Sequence, residues 1–120
     1  MAIVFRAGEL AASDLTEKPL GQPSAEPLSG DITTRSHVYF TSPDERILSG
    51  TWECEPGASR WEFLARGEII YVLSGAMTVQ RDGEDAINLT AGSSAIFELG
   101  WCGTWTVTET LRKVFVVYKP

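Results

Sequence analysis

Histidine and cysteine, the side chains that most often hold transition metals, are nearly missing from this 120-residue chain, which has one histidine, His37, and two cysteines, Cys54 and Cys102. A lone histidine is more often structural than a ligand. The two cysteines are too few for a disulfide framework and too far apart for a zinc knuckle, and they read as reduced thiols. No apolar run approaches the roughly 18 residues that would suggest a membrane-spanning helix. The start "MAIVFRAGELAASDL" lacks the basic opening and continuous apolar stretch of a secretory signal. Positive charge is also scarce. Ten Lys and Arg against sixteen Asp and Glu give a net charge of −6, with a pI near 4.7, so a phosphate backbone or an anionic membrane would be repelled. A cytoplasmic protein with no nucleic-acid and no membrane partner is expected. Phosphate loops are absent too, since neither "GASRWEF" nor "LSGAMT" supplies a Gly-rich loop ending in Gly-Lys-Ser/Thr. There is no internal repeat, charge run or heptad pattern.

What is present is the composition of one ordinary globular domain, 43% hydrophobic and 22% charged. Residues 9–33 hold three prolines and many Ser, Gly and Asp without a sustained period, so residues 1–33 read as an irregular N-terminal arm. From residue 34 to 120 the texture changes to short runs rich in Val, Ile, Thr and aromatics, punctuated by turns. Eight or nine strands at intervals of about ten residues predict an all-β sandwich or barrel. Asp82-Gly83 in "RDGED" marks a tight hairpin. In "EIIYVL" one face carries Glu68, Ile70 and Val72 and the other Ile69, Tyr71 and Leu73, so neither face suits water. One should line a barrel interior and the other should meet a second sheet or subunit, which predicts a homodimer.

Four pieces then fall in a telling order: "GTWECEPG" at 50–57, "EIIYVLSG" at 68–75, "AG" before "AIFELGWCGTW" at 95–105, and "VTETLRKVFVV" at 107–117. Together they resemble the two motifs of the cupin superfamily over about residues 34–118. Within it the chain is most similar to the ureidoglycine aminohydrolase-like branch, which includes the ethanolamine-utilisation cupins. The resemblance implies a double-stranded β-helix, a jelly-roll-like barrel. Metal-binding cupins place two histidines two residues apart, then a glutamate, then a further histidine. At those positions this chain has Trp61, Phe63, Glu68 and Gly103. Only the glutamate keeps a lone pair for a metal, so no metal and no other cofactor is expected. A register shifted by one residue would instead bring Arg60 and Glu62 inward and leave Glu62 and Glu68 as an oxygen pair.

The candidate ligand pocket comprises Arg60, Trp61, Glu62, Phe63, Glu68, Trp101 and Trp105. The aromatics either wall a binding cavity or simply fill the barrel. Glu68 is the best catalytic candidate, because a carboxylate aimed into an apolar barrel must be paired, hydrogen-bonded or protonated. Its possible partners are Tyr71 if the strand twists, Arg60, Lys113, water or a ligand. Arg112 and Lys113 read as solvated charges at a strand entrance or as partners of Glu109. Trp101, in a loop, would cap the cavity or stack on a planar ligand. Cys102 has no neighbouring base to make it a nucleophile. Three functions stay open: a metal-free barrel binding a small polar metabolite, an aminohydrolase-like enzyme acting on an amide, amine or ureido compound, and a non-catalytic structural or regulatory subunit.

Overall fold

The computed structural model describes residues 2–21 and 25–120. Residues 22–24, part of the expected arm, lie outside the described residues. Nine strands follow in order: β1 Thr16–Pro19, β2 Ala25–Pro27, β3 Thr33–Thr41, β4 Ile47–Cys54, β5 Gly57–Glu62, β6 Gly67–Arg81, β7 Ile87–Thr90, β8 Ser94–Phe97 and β9 Cys102–Tyr118. Among the described residues the only helical pieces are two short 3₁₀ turns, Ala7–Glu9 and Ala12–Asp14. No helix among them is long and apolar enough to cross a membrane.

All pairing is antiparallel, and two long strands organise it. The N-terminal half of β6 pairs with the C-terminal half of β9, flanked by β8 on one side and by β4, β3 and β1 on the other. The C-terminal half of β6 pairs with the N-terminal half of β9, flanked by β7 and by β5 and β2. The sheet thus curls on itself as an all-β barrel, and its inner faces share one core. Near Ser74-Gly75 and Thr108 the two long strands bend without breaking pairing. β6 does so through bulges between Val72 and Met77, which switch its inward residues from Glu68, Ile70 and Val72 to Met77 and Val79.

The alternation of Glu68-Ile70-Val72 against Ile69-Tyr71 is strict: the first three are 4%, 1% and 0% exposed, the other two 42% and 47%. Across the sheet, Leu48, Val117, Glu68 and Phe97 form one inward row, and Trp52, Lys113 and Val72 another. From the opposite half, Trp61 and Trp105 stack at 3.9 Å and Phe63 stacks on Phe97 at 5.4 Å, closing the core.

The N-terminal third is more ordered than an irregular arm. β1 and β2 add themselves to the two ends of the main strand path, each with a proline, a residue tolerated in sheets only at such edges. Ala25 and Ile32 pack into the core. Arg112 holds this segment on the outer face: its Nη1 donates to the carbonyls of Ala7 (3.0 Å) and Leu10 (2.6 Å), and its Nη2 to Glu53 Oε1 (3.1 Å). Glu109, its expected partner, is exposed and takes no part.

Gly75 sits at φ +85° where a Cβ would lie 2.1 Å from the Thr110 carbonyl oxygen, whereas Gly83 at φ +80° faces open space. Gly83→Ala should therefore cost about 1 kcal/mol, from backbone strain alone, and Gly75→Ala about 3 kcal/mol or more, since the partner strand must also move. Urea denaturation of the two variants checks the difference.

Candidate functional site

Strand alternation places the site. Inward residues of β9 are the odd-numbered ones, and among Leu111, Phe115 and Val117 the one charged residue is Lys113, 2% exposed. Lys113 sits beside Val72 in the β6–β9 register, and Glu68 lies four residues along on the same inward face. The two long side chains reach toward each other, and Lys113 Nζ donates to Glu68 Oε2 at 2.5 Å. The ammonium also lies over two indole rings, 4.3 Å from the centre of Trp52 and 4.5 Å from that of Trp105, with Trp61 at 5.8 Å. A cation held between a carboxylate and aromatic faces is stabilised on every side that water no longer reaches. Burial pushes the Lys113 pKa below the ordinary lysine value, and the Glu68 charge and hydrogen bond oppose that shift. Cys54, nearby, is driven the other way: burial pushes its thiol up to about 12, so it is an inert thiol.

The pair borders a cavity of about 160 Å³. Trp52, Trp61, Leu48, Phe115 and Val117 wall it, and the exposed Lys18 and half-buried Arg66 and Ser36 stand toward solvent. The barrel is not filled solid. A cavity of roughly 150 Å³ in a protein core accepts a benzene-sized molecule.

Of the expected pocket residues, Trp61 and Glu68 line this cavity. Phe63 and Trp105 are fully buried beside it as core. Arg60 and Glu62 point the other way, because Trp61 and Phe63 take the inward positions. Arg60 makes two hydrogen bonds to Asp82 at 2.6 and 2.7 Å and a longer one to Glu62 at 3.3 Å. The shifted register that would join Glu62 to Glu68 is not adopted. Trp101 packs edge-on against Phe97 and Phe63 and lines a separate hollow with Arg81, Glu84 and Glu98. Neither is Lys113 a solvated charge at a strand entrance, since it is the buried partner of Glu68. Trp52, Arg66 and Lys18 are additions to the expected set. The available signal for Lys113 was its parity with Leu111, Phe115 and Val117.

A metal ion does not fit this donor set. Trp61 and Phe63 offer no ligating atom, the Glu68 carboxylate is already engaged by an ammonium, and a Cβ on Gly103 would lie 2.2 Å from the Gln80 carbonyl oxygen. Among the described residues no group of three or more His, Cys, Asp or Glu converges on a common point.

A curled antiparallel sheet closing a small interior cavity defines a cupin barrel. The chain belongs to the EutQ-like cupin domain family, whose family model matches residues 41–115. Among solved structures, the EutQ protein of Clostridium difficile is 22% identical with a TM-score of 0.62, over 73% of this chain and 69% of that one. A protein of unknown function from Pseudomonas syringae pv. tomato str. DC3000 is 19% identical with a TM-score of 0.75, over 86% of this chain but 43% of that one. The Cnp3 cupin domain of Schizosaccharomyces pombe is 11% identical with a TM-score of 0.63, over 72% of this chain and 65% of that one. At such identities the likeness is one of fold. Among curated proteins, none matches the chain.

Two outcomes follow from the paired donor set. Lys113→Met strands a buried carboxylate and should cost about 3–5 kcal/mol in urea denaturation, while the double variant Lys113→Met/Glu68→Leu should recover most of that loss. Protein incubated with manganese, iron and zinc and then desalted should retain less than about a tenth of an equivalent by mass spectrometry, because a single engaged carboxylate competes poorly with water.

Proposed function

We propose that this chain is a metal-free EutQ-like cupin that binds a small, flat, anionic metabolite inside its barrel. The observation that carries the reading is the cavity itself, where Lys113, Arg66 and Lys18 stand against the single carboxylate of Glu68 in a protein of net charge −6. Local charge opposite to the global charge selects an anion, and the Trp52 and Trp61 walls favour a planar one. The small volume favours a molecule of few heavy atoms. An aminohydrolase activity of the resembling branch would use a metal, which this donor set does not fit, so binding leads over that reading. A purely structural role leaves the open, charged cavity without a purpose.

The outer sheet face supports the homodimer expected from the sequence. Ile69 and Ile96 are direct register partners, Tyr71 stands two residues along from Ile69, and all three are exposed. Covering this strip with a second copy would remove its apolar surface from water. Sedimentation at micromolar concentration should give twice the chain mass, and a monomer would end this part of the proposal.

The binding reading is checked by thermal denaturation with a panel of small carboxylates. A ligand at a hundredfold excess over its Kd should add about 2.7 kcal/mol of stability. Arg66→Gln should lose most of that gain while leaving the Lys113–Glu68 pair in place. A panel in which no acid shifts the transition refutes it.

A further inference from the structure

Resting on that anion-binding reading, we propose that the ligand is a small 2-oxo acid and that Lys113 captures it covalently as an imine. Three features of the cavity point there. Its deepest charged group is a primary amine, whose nitrogen becomes a nucleophile once a base removes a proton. Glu68 Oε2, 2.5 Å from that nitrogen, is placed to take the proton. Arg66 and Lys18 line the same cavity nearer solvent, where the acid's carboxylate would be held with its carbonyl turned inward. The cysteines do not compete for the carbonyl, since neither lines the cavity.

The step balances without an oxidant or reductant. The Lys113 ammonium passes a proton to Glu68, and the freed lone pair attacks the carbonyl carbon. The carbon–oxygen π pair moves to oxygen, which takes that proton back from Glu68. A second proton leaves the nitrogen by the same route, the carbon–oxygen single bond breaks, and water departs as the carbon–nitrogen double bond forms. An ammonium and a ketone become an iminium and water, with one positive charge on each side. The charge stays opposite Glu68 and over the faces of Trp52 and Trp105, so the groups that hold the ammonium also hold the product.

The chain has only three lysines, Lys18, Lys113 and Lys119, which makes the test clean. The intact protein is incubated with pyruvate and sodium cyanoborohydride, its mass is measured, and the adduct is mapped by peptide sequencing. Lactate, which has a hydroxyl in place of the ketone, serves as the ligand for a parallel thermal-shift measurement. The expected result is one reduced adduct per chain at Lys113, none in Lys113→Arg, and trapping slowed about a hundredfold in Glu68→Gln. Adducts confined to Lys18, Lys119 and the terminal amine, with Lys113 unmodified in the wild type, overturn the proposal whatever the variants do. Stabilisation by lactate and pyruvate without a Lys113 adduct overturns the imine and keeps the anion-binding reading. No stabilisation and no Lys113 adduct overturns both.

Discussion

The barrel depends on how one buried positive charge is kept inside it. Lys113 and Glu68 come from strands far apart in sequence, and each would be costly in the interior without the other. Their pairing fixes what surrounds them. The cation lies against three indole rings, of which Trp52 and Trp61 wall the cavity while Trp105 packs in the core beside it, and Trp61 fills a position where a metal ion would need a ligand. In a family fold whose metal-binding members place an ion in the barrel, this chain carries an ammonium of its own.

That arrangement is available because β6 and β9 are long enough to serve both halves of the sheet. A pair of short strands would bring Lys113 beside Glu68 or the Trp105 cluster beside Trp61, but not both in one register. The bulges of β6 do the joining. They reverse which residues face inward halfway along, so that Glu68 and Met77, of opposite parity, both reach the core.

Alternation and the cupin resemblance together made much of this legible. The resemblance placed Trp61, Phe63 and Glu68 inward, and alternation gave an all-β sandwich or barrel and set Glu68, Ile70 and Val72 on one face of their strand. Both failed where a residue's environment is supplied from elsewhere. Lys113 follows Arg112, and two adjacent cations read as a solvated strand end; Lys113 was also one of several partners open to Glu68, and only the fold brings it to that carboxylate, 45 residues earlier in sequence, and buries it. Arg60 and Glu62 entered the candidate pocket through a register shifted by one residue, and the register adopted, with Trp61 and Phe63 inward, turns them to the opposite side. The edge strands β1 and β2 are four and three residues long and carry prolines, too short to show a period.

Those two edges bear on how the protein behaves in a crowded solution. A sheet with an unguarded edge offers its free amides and carbonyls as a template for another copy, and proline, which has no amide hydrogen, cannot complete such a ladder. Pro19 and Pro27 lie on the terminal strands of the main path, so the N-terminal third guards those two edges, though not β7 and β8, against edge-to-edge growth. Losing that segment would uncover β3 and β5, and the harm would take the form of aggregation as much as lost stability.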